Sequence, residues 1–415
     1  MSHWFHRSVL KATTLISFNN VMEGSFNLTK LASDLKKVRD RVLDYLPDPS
    51  HTLETMNVAF ISYLSMMSGF FMDYKLSGKK IRYSYVFKWT HSLLGQNPQV
   101  QQDAAFDIAN MSVNIALWHM KHASYVASKK LSVVSMDDAK EMHTSLRKAA
   151  GIFQMVIKEI LPTLEPAIPG SDLDPRVLNA YYIQCTAEAQ EVTVARAIQL
   201  QHSEKLISAL SHETSILFET AKTSLKGVEK KLIDQWVYYL EVKRNIYLAF
   251  AYCYSGKHLL KEDRCGDAIR NLKESQVYYN KAMSLCKSYS KVKGPAKPVK
   301  PDGHSFFTSL SATVQEMQEK CDRENDFIYH QKIPDSPISL EKKITFGLAS
   351  PEVYTLPQPI PLWEAAFETK EVVATAIETP LKLKVNKQEE DLPPVQEKFL
   401  PDEKGPTDDN GCVLQ

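Results

Sequence analysis

The residues with the most chemistry to offer stand at the end of the sequence. Cys412-Val413-Leu414-Gln415 places a thiol before two aliphatic residues and a last Gln. This is the pattern of a prenylation signal, and Gln in the last place favours a farnesyl group. Alkylation needs the thiol on a free and flexible terminus. From Lys370 the chain is rich in Pro, Lys, Glu and Asp and nearly devoid of aromatic residues, a composition that buries too little apolar surface to fold. The sequence therefore predicts a flexible tail over residues 371–411 and a lipid on Cys412 in a CaaX box at 412–415. A chance terminal cysteine is the competing reading.

Other candidate chemistry is sparse. His119 and His122 lie on one helical stretch, Trp118-His119-Met120-Lys121-His122, and could share a metal, but the sequence places no third ligand. Packed or surface histidines are the expectation, and a lipid-anchored enzyme built on this pair is the rival. There is no glycine-rich phosphate loop, no Gly-x-Ser-x-Gly and no cysteine in a nucleophile motif. The six cysteines are far apart and without Cys-x-x-Cys spacing, which suits buried thiols in a reducing compartment. The expectation is a protein that is not an enzyme and carries no cofactor beyond the lipid.

The elements that must position such residues are helical. Only 14 glycines occur in 415 residues, which favours long helices. A formal net charge of +1 gives no push toward nucleic acid or acidic membranes. The N-terminus lacks the apolar core of a signal peptide, and no apolar run approaches the ~20 residues of a spanning helix. A cytoplasmic protein until lipid is attached is the expectation.

Leu31, Leu35, Val38, Val42 and Tyr45 share a helical face that stops at Pro47-Asp48-Pro49. Ser135 with Asp138 reads as a capping-box variant opening a helix through Phe153 to Leu161. Asp174-Pro175 supplies an N-cap and a first-turn proline, followed by the stripe Leu178, Tyr182, Cys185, Ala189 and Val192. Trp236 to Tyr289 reads as two antiparallel helices broken near Ser255-Gly256, resembling a tetratricopeptide-type hairpin. Thr13 to Phe18 suggests a short strand. Lys291 to Gly303, with its prolines and lysines, reads as a solvated basic connection. Phe307, Leu310, Val314, Met317 and Cys321 mark another helix. The prolines after Pro334 rule out a long helix there, yet Phe346, Leu348, Val353, Leu356, Leu362, Trp363 and Phe367 remain apolar. An extended arm packed on the helical body is expected, with order ending near Phe367.

Ile207, Leu210, Leu217, Ala221 and Leu225 form a core stripe, and Leu206 lies about 100° from Ile207, beyond its edge. A helix buried on two sides and an exposed groove for a partner helix both fit this offset.

Four blocks resemble a known family. Ala104-Ala105-Phe106-Asp107-Ile108-Ala109, Ala149-Ala150-Gly151-Ile152-Phe153, Ala187-Glu188-Ala189-Gln190-Glu191-Val192, and Glu324-Asn325-Asp326-Phe327-Ile328-Tyr329 with Ile333-Pro334 are similar to the helices and closing element of the BRO domain of ALIX-type proteins. They span most of residues 1–370, and the Ala187 and Glu324 blocks are the more specific. The resemblance implies a mainly α, curved, banana-shaped helical solenoid with a tetratricopeptide-like core and a small N-terminal β-sheet. It also implies binding of the C-terminal amphipathic helix of ESCRT-III subunits, the charged multivesicular body proteins, in a concave hydrophobic groove.

On the same resemblance, the groove's apolar pair falls on Leu206 and Leu210. Its polar rim falls on Lys140 and Arg196, with an acidic partner at Asp137 or Asp138. Thr193 stands where ALIX-type grooves use a Phe, and an aromatic anchor can be worth ~2 kcal/mol or more; Phe346 or Leu348 would supply part of the missing surface. ALIX-type proteins continue into further domains, whereas here a short tail and a prenylation box follow. The implied function is a monomeric adaptor in ESCRT-dependent membrane remodelling, held peripherally on endosomal or nuclear-envelope membranes, without nucleic acid. A tetratricopeptide-type scaffold for soluble peptides, without lipid anchoring, is the alternative.

Overall fold

Helix after helix packs on its sequence neighbour, each burying apolar side chains in a shared core. The computed structural model describes residues 3, 5, 8–22, 24–76, 78–128, 135–292, 305–340, 347–367 and 390–398. The helices are α1 (Phe26–Tyr45), α2 (Leu53–Met67), α3 (Ala104–Ser128), α4 (Met136–Met155), α5 (Pro175–Gln199), α6 (Glu204–Ser224), α7 (Lys230–Lys261), α8 (Cys265–Tyr289), α9 (Ser305–Glu324) and α10 (Leu362–Phe367). From α3 to α9 each helix after α3 packs against the one before it.

Local chemistry sets the boundaries. The Ser135 hydroxyl accepts the Asp138 N–H at 3.1 Å, and the Asp174 carboxylate accepts the Arg176 N–H at 2.9 Å with Pro175 in the first turn; each satisfies a donor that a helix start leaves open. Helix α4 closes in a π-turn over Val156–Ile160. Helix α7 runs to Lys261, past the break expected at Ser255-Gly256. The glycine there serves packing: a methyl group at Gly256 would sit 2.9 Å from Leu272 Cγ on α8. The turn falls instead at Asp263, whose φ is 58°.

The small antiparallel pairing lies later than the expected Thr13–Phe18 strand. Strands β1 (Lys75–Leu76) and β2 (Lys79–Lys80) form one pair, and β3 (Phe87–His91) and β4 (Gly95–Gln101) the other. Thr13 makes only a single bridge to Trp89. Here the core takes the backbone: Thr90 N–H donates to Ala12 O at 2.9 Å, while Ala12 N–H donates to the Thr90 hydroxyl at 2.7 Å. Beneath β3, the buried Asp107 carboxylate of α3 accepts Arg39 Nε and Nη2 (3.1 and 3.0 Å), the Tyr63 hydroxyl (2.9 Å) and Trp89 Nε1 (2.8 Å). One carboxylate thus ties α1, α2, α3 and β3, and its charge is met by Arg39 with both side chains fully buried.

After Tyr329 the chain becomes an arm that recrosses the helices. The Asn325 side chain bonds both Gln331 N–H (3.0 Å) and Gln331 O (3.1 Å), turning it. The arm then passes α8, where Ile338 N–H donates to Asn271 Oδ1 at 2.9 Å. It crosses α5 at Gln190 and α4 at Gly151, and ends in α10, where Trp363 Nε1 donates to Met66 O at 2.8 Å. These crossings need helices without side chains. A methyl group would sit 1.8 Å from Glu352 O at Gly151, 2.4 Å from Lys332 O at Gly266 and 2.1 Å from Trp363 Cε2 at Gly69. Phe346 lies outside the described residues.

Composition marked the whole of 371–411 as free tail, but residues 390–398 lie on the body. Lys398 N–H donates to Pro47 O at 2.9 Å and Leu392 N–H to Gln96 O at 3.0 Å.

Gly151→Ala tests the arm. Alanine ordinarily improves a helix over glycine by about 1 kcal/mol, yet here the Glu352 backbone must move. We expect a loss of about 1–3 kcal/mol, read as a lower urea midpoint; a raised midpoint would show that the arm does not pack on α4.

Candidate functional site: a trough over helix α5

Helix α5 lies between α4 and α6 and is pinned from below by polar groups. Glu188 Oε1 accepts the Tyr239 hydroxyl at 2.7 Å and Gln184 Nε2 at 2.8 Å. Lys243 Nζ meets Glu191 Oε1 at 2.7 Å, both side chains fully buried. Burial pushes the Glu191 carboxyl up to about 7, with the Lys243 charge opposing it. Removing one member of such a pair costs about 3–5 kcal/mol because the other charge stays buried, so α5 and α7 share one register.

The outer face of α5 carries Tyr182, Thr186, Gln190, Thr193 and Arg196, with Leu200 at the C-cap, spaced for one helical row. Its members are half-buried or exposed except Gln190, which is buried. The arm explains this exception. Gln190 Nε2 donates to Gly347 O at 3.0 Å, and its Oε1 accepts Ala349 N–H at 2.6 Å. The row is therefore covered at Gln190 and open from Thr193 to Leu200. At 1.5 Å per residue, the seven residue steps from Thr193 to Leu200 give an open length of about 10 Å, room for roughly two turns of a partner helix.

The expected apolar pair sits on α6 at the edge of this opening. Leu206 is half-buried and packs partly against the core. Leu210, one turn on, is only 2% exposed, and a methyl group on Gly347 would be 3.3 Å from its Cδ2. The two are thus not equivalent: Leu206 is half-exposed in the first turn of α6, and Leu210 lies beneath the arm. Ile207 is buried in the core.

The polar candidates fall on α4 and α5. Asp137 and Lys140 are exposed in the first turns of α4. The Ser135 hydroxyl donates to Asp138 at 2.6 Å, so Asp138 closes the cap and Asp137 is the more exposed acid. Arg196 reaches from the floor to the start of α4: Nη1 donates to Gln199 Oε1 at 2.6 Å and Nη2 approaches Met136 Sδ at 3.2 Å. The Thr193 hydroxyl donates back to Ala189 O at 3.4 Å, so no polar hydrogen competes for a partner at that position. Exposed Met136, Leu200 and Leu348 frame the opening. Of these, the sequence pointed only to Leu348; Leu200 was visible as the next member of the Thr193–Arg196 row.

His119 and His122 are buried joints. His119 Nδ1 pairs with the Ser145 hydroxyl at 3.2 Å, while His122 meets Pro49 O at 2.8 Å and Glu141 Oε1 at 2.9 Å. Burial holds His119 well below the usual imidazole range. Among the described residues no cluster of three or more His, Cys, Asp or Glu is placed to hold a metal. Nor is any helix among them long and apolar enough to cross a membrane. Cys412 lies outside the described residues.

The BRO1-like domain family matches residues 13–369. The chain belongs to that family. It is 45% identical over 377 residues to the human "BRO1 domain-containing protein BROX", covering 89% of this chain and 91% of that protein. It is 34% identical over 432 residues to the Caenorhabditis elegans "BRO1 domain-containing protein BROX homolog", covering 100% of both. Among solved structures it is similar to the ALIX BRO1 domain in complex with CHMP4C, with TM-score 0.63, 18% identity, and coverage of 85% and 98%. It is similar also to ALIX in complex with the SIVmac239 PYKEVTEDL late domain, with TM-score 0.69 and 18% identity, over 88% of this chain and 51% of that one. The chain thus spans about half of that ALIX chain, and at such identity both show the fold alone. Within this BRO1-like domain the four sequence blocks act as framework. Asp107 gathers the N-terminal elements, Gly151 and Gln190 seat the arm, and Asn325 turns it.

The two leucine-region neighbours should separate cleanly. Ile207→Asp buries a charge in the core and should cost several kcal/mol, at least ~2 more than Leu206→Asp. Urea unfolding of both variants checks this; equal losses would make Leu206 a core residue.

Proposed function

We propose that the open stretch of α5 receives the C-terminal amphipathic helix of an ESCRT-III subunit, and that a farnesyl group on Cys412 holds the complex on a membrane. The observation that carries the groove is the half-exposed Leu206 beside a trough whose covered end is fixed by Gln190 and whose open end exposes Met136 and Leu200. An amphipathic helix laid there buries its apolar face against these side chains, while Lys140 and Arg196 meet its acidic residues and Asp137 its basic ones. A family member of the same fold, the ALIX BRO1 domain, has been seen with CHMP4C, which supports this partner class.

Thr193 offers less area than an aromatic residue, so part of the affinity comes from the rim, including Leu348 on the arm. The lipid reading rests on Cys412-Val413-Leu414-Gln415. One chain gives weak, reversible anchoring, and acidic residues outnumber basic ones from Glu389 to Asn410, so electrostatics adds nothing there. A monomeric adaptor that touches both the membrane and an ESCRT-III polymer already on it gains avidity from the second contact. The proposed location is accordingly peripheral, on the cytoplasmic side of endosomal or nuclear-envelope membranes.

Titration with ESCRT-III C-terminal peptides tests the groove. Leu206→Asp should weaken binding at least thirtyfold, about 2 kcal/mol, with the fold retained; wild-type affinity in the variant would place the partner elsewhere. For the lipid, intact mass should show an isoprenoid on Cys412, and Cys412→Ser should shift the protein from the membrane to the soluble fraction. An unmodified Cys412 in cells with active farnesyltransferase would end the anchor reading.

A further inference from the structure

Residues 390–398 meet a surface built for them. Pro393 and Pro394 favour an extended backbone before docking, which lowers its entropic cost. Leu392 N–H donates to Gln96 O at 3.0 Å and Lys398 N–H to Pro47 O at 2.9 Å, fixing both ends of the segment. Between them Val395 packs against the core. Glu397 is held two ways: Oε2 meets Lys121 Nζ at 2.7 Å and Oε1 accepts Leu10 N–H at 3.3 Å. The Lys121 and Glu397 side chains are only 3% and 6% exposed. Lys398 Nζ also reaches Asp48 Oδ2 at 3.0 Å. The receiving loop is itself tied to α3, since Trp118 Nε1 donates to Asp48 O at 3.0 Å.

We propose that Leu10, Pro47–Asp48, Gln96 and Lys121 form a peptide site for an extended Pro-Pro segment carrying a carboxylate, occupied in cis by residues 390–398, and that this occupation fixes which end of the domain faces the membrane. The second clause rests on the lipid reading of Cys412. From Phe367, where α10 ends, 45 residues lead to Cys412; from Lys398 only 14 do. At no more than about 3.6 Å per residue, the longest reach falls from about 160 Å to about 50 Å. With the segment seated, the lipid is confined to the neighbourhood of the α1–α2 loop and β4. Unseated, the tether is long enough to present any face.

Hydrogen exchange on the full, unlipidated chain reads the site alone. The Leu392 and Lys398 amides should exchange at least tenfold more slowly in the wild type than in Glu397→Gln, and Val395→Asp should release them likewise. Exchange as fast in the wild type as in both variants would overturn the site. Energy transfer reads the orientation, with a donor dye at Glu54→Cys in the first turn of α2 and acceptor dye in phosphatidylcholine vesicles. The farnesylated chain should show at least twofold higher transfer than its Glu397→Gln form; equal transfer overturns the orientation. If neither chain binds vesicles, the lipid reading and the orientation that rests on it have failed, and the exchange result still decides the site.

Discussion

Gln190 holds the arm at Gly347 and Ala349 with the two ends of one amide, and the shape of the candidate site follows from that clasp. Where the arm crosses, α5 loses its outer face to solvent and Leu210 on α6 is covered. Beyond the crossing, Thr193, Arg196 and Leu206 keep theirs. The arm reaches this position because Gly266 and Gly151 offer bare backbone on either side of the crossing. A trough of defined length is thus made by a strap, seated by one amide and two glycines of the helices it crosses.

The floor beneath the strap is unusually polar for a helix so deeply placed. Glu188 and Glu191 on α5 spend their carboxylates on Tyr239 and Lys243 of α7, and Asp107 does the same for α1, α2 and β3. Hydrophobic packing tolerates small slips between helices; a buried ion pair does not, since a displaced partner leaves a desolvated charge. The outer row of α5 is therefore presented at one rotation, and Arg196 arrives beside the first turn of α4. The acid and the base of the rim come from α4 and α5, while the apolar edge comes from α6. The proposed partner helix would span all three.

Much of this was legible in the sequence, and what was not has physical reasons. Ser135 and Asp174 announced α4 and α5 because caps are local chemistry. The arm after Pro334 was legible because proline excludes helix while its apolar residues demand burial. The end of α7 was not, because Gly256 looks like a terminator but serves the approach of Leu272. The strand expected at Thr13–Phe18 was reduced to one bridge from Thr13 to Trp89 beside the two bonds between Ala12 and Thr90, a tertiary choice that local propensity cannot express. Leu206 and Leu210 were paired by resemblance although periodicity already put Leu210 in the core stripe, and the long-range path of Gly347 adds the cover over Leu210. The seating of residues 390–398 was hidden because tail composition reports what a segment cannot bury by itself. It is silent about a site elsewhere that supplies Lys121.

The proposed partner helix lies on the open end of α5, bounded by the strap. A hydrogen-exchange footprint of the full chain with and without a saturating ESCRT-III C-terminal helix peptide tests this placement most directly. Added protection is expected in the α5–α6 turn around residues 200–206, in the first turns of α4 and at the strap around Gly347–Ala349, with α8 and α9 unchanged. Protection confined to α8 and α9, with those three segments unaffected, would contradict it.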